Sequence, residues 1–282
     1  MENITKAMYD AMEDKAKRKT VINEGDYIGE DGLWYCGKCH TQKQVRIQVL
    51  DEERTPFCLC ECANEKYRNT EKMIKEYQKR QRISENRRIG FPDREMQEWT
   101  FENDDLANEK ITKAMKRYVE HFPEFFRGGK GLLLYGMPGG GKTYAACEVA
   151  NALIDKGYSA LVTNFARLTN VIQGRYDDRQ DYIDSLQDYQ LLVIDDLGVE
   201  RRSEYMQEMV FNIIDSRYRQ KLPMIITTNL TMQEIKNPNN LGDSRIYDRI
   251  IERCFPVEVA GGNRRKKAVR ESYNDMKNML GL

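Results

Sequence analysis

Apolar and polar positions form two patterns along the chain: short apolar runs, and longer stretches with apolar residues at helical spacing. Apolar runs of about five residues are typical of buried strands. From residue 91 onward the patterns predict strands near residues 131–135, 159–163, 190–194, 224–228 and 255–259. They predict helices near residues 107–121, 143–155, 165–173, 203–219 and 266–280. Alternating strands and helices favour an α/β fold, a parallel sheet covered on both faces with its ligand site at the carboxyl ends of the strands.

A strongly charged stretch with few apolar residues precedes this region, at residues 63–94. It predicts a solvated helix that links two domains and is ended by Gly90 and Pro92. A simple charged linker is one interpretation, and contact with nucleic-acid phosphates is the alternative, because basic residues are in excess here. We therefore predict a small N-terminal module at residues 1–66, a helical linker at 67–92 and the α/β domain at 93–282.

Composition excludes several classes of protein. The 282 residues include 45 Lys and Arg and 45 Asp and Glu, so the whole chain is not a basic DNA-coating protein. No apolar run reaches the length of about 18 residues that a membrane span requires. The N-terminus lacks the apolar core of a signal peptide. We expect a cytoplasmic protein with no membrane partner, whose seven cysteines do not form disulfides.

Most of the cysteines are concentrated in residues 36–62, which needs a separate explanation. A C-x-x-C pair followed about twenty residues later by a second cysteine cluster has the spacing of a structural zinc site. A small segment with little apolar core also needs such a stabilising metal. Free reduced thiols and an iron–sulfur cluster are the alternatives. The predicted Zn²⁺ ligands are Cys36, Cys39, Cys60 and Cys62, with Cys58 or His40 as substitutes.

The segment GLLLYGMPGGGKTYAACEVA, Gly131–Ala150, contains a phosphate-binding pattern, G-x-x-x-x-G-K-[ST], between an apolar run and a helix. Glycines let backbone N–H groups point inward at an anion, and the helix N-terminus adds partial positive charge. We expect Lys142 to contact the β- and γ-phosphates of a nucleotide and Thr143 to bind Mg²⁺. The predicted nucleotide contacts in this loop are Gly136, Pro138, Gly139, Gly140, Gly141, Lys142, Thr143 and Tyr144.

Two later predicted strands end in polar residues. The run QLLVIDDLG ends with Asp195 and Asp196, and PMIITTN ends with Asn229. A nucleotide loop needs an acidic group near its metal, so we predict that Asp195 binds Mg²⁺ directly or through water. Asp196 is then predicted to orient or deprotonate the attacking water, and Asn229 to reach the γ-phosphate or that water. Capping of a turn is the alternative for these side chains.

Two basic features lie near the C-terminus. The sequence DSRIYDRIIERC places Arg245 and Arg249 four residues apart on one face of a predicted short helix. The sequence GGNRRKK places Arg264 and Arg265 just after the last predicted strand. An arginine near a nucleotide loop can neutralise transition-state charge, and a neighbouring subunit can supply it. The alternative for each is an ordinary surface position.

Together these motifs resemble the AAA+ ATPases of the DnaC/DnaI helicase-loader and IstB group, from Phe91 to the C-terminus. GMPGGGKT is similar to Walker A, LLVIDDLG to Walker B, and IIDSRY…PMIITTNL to the segment that leads into sensor 1 at Asn229. SRIYDRI resembles the arginine-finger box, which implies Arg249 as the finger with Arg245 nearby. GGNRR resembles the sensor 2 segment, which implies that Arg265 contacts the nucleotide.

The resemblance also implies details of architecture and activity. Only a short segment follows Val259, so we expect an AAA+ core with a reduced lid. Many AAA+ proteins carry Glu where this chain has Asp196, so we expect slow, partner-stimulated hydrolysis. The segment VTNFARL, Val162–Leu168, is similar to a region tied to single-stranded DNA contact in loaders. The cysteine module resembles the N-terminal modules of DnaI-type and phage loaders, which bind the replicative helicase.

The resemblance therefore implies an ATP-dependent loader of a DnaB-like replicative helicase onto single-stranded DNA. We expect a hydrolase that holds ATP or ADP with Mg²⁺ between self-associating AAA+ subunits, while residues 1–66 bind Zn²⁺ and the helicase. Loss of the γ-phosphate would then switch the contacts with helicase and DNA. The alternatives are an IstB-type transposition accessory ATPase, an ATP-binding adaptor with negligible hydrolysis, and a zinc-dependent DNA-binding protein with a vestigial nucleotide loop.

Overall fold

The computed structural model describes residues 22–49, 52–174, 178–198, 204–260, 273 and 276–280. Arg264, Arg265 and most of the helix predicted at 266–280 lie outside these residues. The chain divides into two compact units, Met1–Gln81 and Arg82–Leu282. In the described part of the chain, no helix combines the length and the apolarity needed to cross a membrane.

The first unit is built from two small hairpins and a helix. Strands β1 (Tyr27–Ile28) and β2 (Trp34–Tyr35) pair antiparallel, as do β3 (Ile47–Val49) and β4 (Glu52–Arg54). Helix α1 (Glu61–Gly90) begins here and continues into the second unit. The buried apolar side chains described in this unit are Leu33, Cys36 and Cys60. Because so little apolar surface is buried, the hairpins need another source of stability.

Helix α1 is polar along its length, as predicted from its charge pattern, and it ends at Gly90. Its last turns, from Arg82 onward, belong to the second unit and contact other residues of that unit. The Asn86 side chain donates to the Tyr158 carbonyl at 3.1 Å, and Arg87 pairs with Asp155. A Cβ at Gly90 would lie 2.6 Å from the Ala160 carbonyl, so only glycine allows this approach.

The second unit contains a five-stranded parallel sheet, which confirms the predicted α/β fold. Its strands are β5 (Gly131–Tyr135), β6 (Ala160–Asn164), β7 (Leu191–Leu197), β8 (Met224–Thr228) and β9 (Cys254–Glu258). Their spatial order is β6-β7-β8-β5-β9, and every neighbouring pair is parallel. This order brings the carboxyl ends of β5, β7 and β8 to adjacent positions at one edge of the sheet.

Helices cover the sheet on both faces. They are α2 (Glu109–Glu120), α3 (Phe122–Gly128), α4 (Lys142–Asp155), α5 (Phe165–Gly174), α6 (Arg179–Ser185), α7 (Glu204–Arg219), α8 (Met232–Lys236) and α9 (Leu241–Arg253). Two short 3₁₀ helices lie at Arg94–Glu98 and Leu186–Asp188. Leu132 and Leu134 belong to one apolar cluster with Met115 of α2, and Leu133 belongs to another with Ile213 of α7. The two clusters are the two faces of the sheet, because successive strand residues point to opposite sides.

Candidate functional site

The loop between β5 and α4 bends through three glycines with left-handed or extended-positive backbone angles. Gly136, Gly139 and Gly141 have φ values of 141°, 81° and 95°. A Cβ at Gly136 would also lie 2.8 Å from the Val259 carbonyl. Residues with a Cβ would be strained at these angles, so the loop needs glycine to form this curve and lead into the N-terminus of α4.

Lys142 connects this loop to a neighbouring strand. The side chain is almost fully buried, with 5% of the residue exposed. Its ammonium donates to the carbonyls of Gly136 and Met137 at 2.9 and 3.0 Å and to Asn229 Oδ1 at 2.8 Å. The loop lysine and the amide predicted at the end of β8 are therefore in direct contact, as the adjacent positions of β5 and β8 in the sheet favour.

Asp195 forms the centre of a second set of contacts, close to the N-terminus of α4. Thr143 Oγ1 donates to the two carboxylate oxygens at 2.9 and 3.1 Å. Thr227 Oγ1 donates to Asp195 Oδ1 at 2.5 Å. Burial raises the pKa of the Asp195 carboxyl, and the two hydroxyl hydrogen bonds oppose that rise. A hydroxyl and a carboxylate at this distance form a suitable pair of oxygen ligands for Mg²⁺.

Asp196, the next residue, has an unusual backbone conformation. Its φ of 57° is in the left-handed region, where a residue other than glycine lowers the stability of the fold by about 1 kcal/mol or more. The ladder between β7 and β8 shifts register between Ile194 and Leu197, so β7 does not continue as a regular strand through Asp196. The Asp196 side chain is half-buried and lies at the wall of a pocket rather than in the sheet.

That pocket contains most of the residues predicted from the nucleotide motifs. Its lining includes Lys142, Thr143, Tyr144, Asp196 and Asn229, together with Trp99, Pro138, Gly139 and Gly141. Asp195 is not a lining residue, but it accepts a hydrogen bond from Thr143, which is one. The structure therefore brings the loop, the carboxylate pair and the amide together at the strand ends.

Trp99 is a lining residue that the sequence motifs do not indicate. Its ring stacks on Tyr144, with centroids 5.6 Å apart and planes 27° apart. Asn151 of α4, which is buried, donates to the carbonyls of Met96 and Trp99 at 2.9 and 3.0 Å. These bonds fasten the 3₁₀ segment to α4. No sequence signal could have found this contact, because the two aromatic residues are far apart in the chain.

The predicted finger arginines do not line the pocket within their own chain. Arg249 is half-buried; its Nε donates to Asp215 Oδ1 at 2.5 Å, and its guanidinium lies 4.5 Å from the centre of the Phe211 ring. Arg245 is exposed one turn earlier on α9, and its carbonyl accepts from Arg249 at 3.1 Å. Arg265, the predicted sensor 2 residue, lies outside the described residues.

A group of thiols forms a second candidate site, in the first unit. The sulfurs of Cys36, Cys39, Cys60 and Cys62 all lie within 4.8 Å of one another. The Cys36–Cys62 and Cys60–Cys62 distances are 3.7 and 3.4 Å. Sulfurs bound at about 2.3 Å to a tetrahedral zinc are about 3.8 Å apart, so this group fits Zn²⁺.

Cys58 and His40, which the sequence predicts as substitute zinc ligands, have other contacts. The Cys58 thiol donates to the Gln42 carbonyl at 3.6 Å, and His40 Nδ1 lies 3.3 Å from the Tyr27 hydroxyl. Neither belongs to the group of four sulfurs found among the described residues. A Cβ at Gly37, inside the C-x-x-C turn, would lie 2.0 Å from the Gly25 carbonyl, so this turn also requires glycine.

The thiols differ strongly in acidity, as expected for a crowded group. A hydrogen bond from the Thr41 hydroxyl is the main cause that lowers the pKa of Cys39 to about 5. Hydrogen bonding with Cys60 is the main cause that raises the pKa of Cys62 to about 12. Four thiolates this close repel one another, and a bound cation removes that repulsion.

Comparison with known proteins adds independent evidence. A family model described as "IstB-like ATP binding protein" matches residues 65–272. The replicative helicase loader DnaI of Bacillus subtilis (strain 168) is 25% identical over 181 residues, 59% of this chain and 58% of that protein. The replicative helicase loader DnaC of Escherichia coli (strain K12) is 27% identical over 158 residues, 55% of this chain and 63% of that protein. The alignments thus cover about three fifths of the length of either relative.

Solved structures agree on the fold. A crystal structure of DnaI matches with a TM-score of 0.51 at 27% identity, covering 60% of this chain and 94% of that one. A crystal structure of the DnaC helicase loader matches with a TM-score of 0.50 at 23% identity, covering 60% of this chain and 100% of that one. The DnaC likeness supports the fold alone, and both agree with the parallel sheet described above.

Proposed function

Because the chain belongs to the IstB-like ATP binding protein family, with DnaI and DnaC among its relatives, we propose that it is an ATP-dependent loader of a replicative DNA helicase onto single-stranded DNA. The observation that carries this proposal is the meeting of Lys142, Thr143, Asp195 and Asn229 at the ends of three adjacent strands. The names of the two relatives supply the helicase and the loading role.

The residues present fit an adenine nucleotide with Mg²⁺. The glycine loop and Lys142 would hold the phosphates, and Thr143 with Asp195 would hold the metal. When bound, Mg²⁺ neutralises charge on the β- and γ-phosphate oxygens. Lys142 adds a positive charge, and its bond to Asn229 keeps that amide directed toward the phosphate end of the pocket. Sensor 2 contact by Arg265 is part of the same proposal.

Asp196 is the proposed acceptor of the proton from the attacking water. Its carboxylate is half-buried at the wall of the pocket, near Asn229, which would help to orient that water. Aspartate is one methylene shorter than the glutamate of many AAA+ proteins. We therefore propose an ATPase that turns over slowly and that helicase or DNA stimulates.

Self-association would complete the site, because neither Arg245 nor Arg249 lines the pocket of its own chain. We propose that α9 of one subunit presents the finger to the nucleotide of the next. Arg249 is paired with Asp215, whereas Arg245 is exposed on the same face of α9. Arg245 is therefore the residue that can reach a neighbour without breaking an ion pair, although the box resemblance favours Arg249.

We propose that separate segments of the chain bind zinc, the helicase and DNA. The Cys36, Cys39, Cys60 and Cys62 group would hold Zn²⁺ and stabilise an N-terminal module, residues 1–66, that binds a DnaB-like helicase. In the proposed DNA-contact segment Val162–Leu168, the exposed side chains include Arg167, which can reach a phosphate. Linker residues 67–92 would join this module to the AAA+ domain, residues 93–282.

A reconstituted loading assay tests the function. The full chain, a DnaB-type helicase and single-stranded DNA coated with single-strand-binding protein are mixed with ATP, and DNA unwinding is measured. We expect unwinding to require the chain and ATP, and a Lys142→Ala variant to fail. Full loading by that variant would contradict the ATP-dependent mechanism. Failure of residues 1–90 to retain the helicase in a pull-down would favour the IstB-type transposition role.

A further inference from the structure

Thr227 is a fully buried polar residue of the PMIITTNL segment, in which the sequence motif assigns a role only to Asn229. It lies near the end of β8, two residues before Asn229, and none of its surface is exposed. Strand β8 lies between β7, which carries the carboxylate pair, and β5, which leads into the glycine loop. A hydroxyl at this position is therefore between the two halves of the proposed nucleotide site.

The Thr227 hydroxyl contacts both members of the carboxylate pair. It donates to Asp195 Oδ1 at 2.5 Å and accepts from the Asp196 backbone N–H at 2.9 Å. A hydroxyl has one donor and can accept two bonds, so one side chain can fill both roles. The bond to a carboxylate is of the stronger, charge-assisted kind.

The second of these bonds lies where the ladder between β7 and β8 is irregular. Strands β7 and β8 lose their regular register between Ile194 and Leu197, where Asp196 has a φ of 57°. The Asp196 N–H is satisfied by the Thr227 side chain, and the Leu197 carbonyl accepts from the Thr228 hydroxyl at 2.7 Å. Two side chains of β8 thus support the irregular backbone at Asp196, whose side chain lines the pocket.

We propose that Thr227 is a positioning residue that orients the Asp195 carboxylate for Mg²⁺ and holds Asp196 in its pocket-facing conformation. The inference rests on the nucleotide–Mg²⁺ site proposed above. It deepens that proposal by naming a residue that contacts neither nucleotide nor metal. A carboxylate that is already aligned needs no reorganisation when the metal binds, so the loss of alignment weakens metal-dependent steps first.

Calorimetric binding of ADP to the full chain, with and without MgCl₂, measures this effect apart from turnover. Thr227→Val removes the hydroxyl but keeps the branched shape. We expect the factor by which Mg²⁺ tightens ADP binding to fall about tenfold, the usual scale for one charge-assisted hydrogen bond. Mg²⁺-free ADP binding should stay unchanged, because Lys142 and the glycine loop are intact. In ATP hydrolysis kcat should fall more than KM rises, because Asp196 loses its support.

Two further variants separate positioning from general stability. Thr169→Val removes an equally buried hydroxyl, which donates to the Phe165 and Ala166 carbonyls of its own helix, and should leave the Mg²⁺ effect unchanged. Thr227→Ser retains the hydroxyl and should restore most of the Mg²⁺ effect. If Thr227→Val does not fold, Thr227→Ser and Thr227→Ala form a pair that differs only in the hydroxyl.

The outcomes are distinguishable. If the wild-type chain does not bind ADP more tightly with Mg²⁺, the proposed nucleotide site itself is wrong. If the wild-type chain does so and Thr227→Val matches Thr169→Val in both binding and turnover, the nucleotide site stands and the positioning role is overturned. The same result for the Ser and Ala pair, equal Mg²⁺ effects, would also overturn it.

Discussion

A few residues at the strand ends have two sets of possible partners, those within the chain and those of a bound ligand. The Lys142 ammonium is bonded to two loop carbonyls and to Asn229. A phosphate would compete for the same ammonium, so binding must reorganise these bonds or share them. The energetic balance of the site therefore depends on single side chains, which single substitutions can test.

Lys142→Ala tests the phosphate contact. We expect ATP affinity to fall by about a hundredfold, because a charge-assisted contact to phosphate is worth about 3 kcal/mol. Calorimetric titration of the purified chain gives the dissociation constant. Lys130→Ala is the matched control, since Lys130 is exposed just before β5 and should bind ATP as the wild type does. Equal affinities in the two variants would contradict the assignment of Lys142.

Arg245 and Arg249 of α9 make a matched pair of their own. Arg249→Ala removes the Nε bond to Asp215, which is 7% exposed, and the contact with the Phe211 ring. We expect the free energy of unfolding to fall by about 1–3 kcal/mol. Arg245→Ala should leave stability unchanged but lower the ATPase rate at protein concentrations where subunits associate. Thermal denaturation and concentration-dependent phosphate release measure the two effects, and a reversed pattern would assign the finger to Arg249.

At the scale of elements, a buried polar side chain can join segments through hydrogen bonds to their backbone carbonyls. Arg217 of α7 is fully buried, and its guanidinium donates to the carbonyls of Leu186, Tyr189 and Pro223 at 3.1, 2.7 and 2.6 Å. Burial lowers the pKa of this guanidinium to about 9. These bonds connect the segment before β7 and the turn before β8 to α7, so they help to determine where β7 and β8 begin.

Arg217→Met should therefore destabilise the second unit. Three buried carbonyls lose a donor, and we expect the free energy of unfolding to fall by about 3 kcal/mol. Urea unfolding followed by circular dichroism measures the loss. Arg219→Met is the control, because the Arg219 side chain is 73% exposed and its pair with Asp215 should contribute little. Similar losses in both variants would mean that the carbonyl contacts are not what stabilises this connection.

At the scale of the whole molecule, the two units differ in how much apolar surface they bury. The second unit has two large apolar clusters, whereas few apolar side chains are buried in the described part of the first. The proposed zinc at its cysteine group would then supply much of the free energy of folding of the first unit.

Cys36→Ser tests this division. We expect zinc content, measured by atomic emission, to drop from one ion per chain to near zero and helicase binding to be lost. ATP affinity should stay within about twofold of wild type, since the proposed nucleotide site is in the other unit. Cys58→Ser is the control, because Cys58 is not among the four grouped sulfurs, and it should retain zinc. Loss of ATP binding in Cys36→Ser would contradict the two-domain division.

The sequence by itself determined the features whose causes are local. The five strands, the glycine loop with Lys142 and the C-x-x-C pair depend on the spacing of near neighbours, and the structure has strands and grouped thiols at those positions. Short helices such as α6 and α8 went unpredicted because they carry little periodic signal.

Only the tertiary structure decided which distant residues share a contact. The spacing within one segment does not record which strands become neighbours in a sheet. The bond from Thr227 to Asp195 therefore could not be predicted from the sequence, because it depends on β7 and β8 lying side by side. The stack of Trp99 on Tyr144 and the pairing of Arg249 with Asp215 depend on the packing of helices and 3₁₀ segments that are remote in the chain. The chain's own motifs thus supply the groups of the proposed site, while packing between remote elements sets the orientation of those groups.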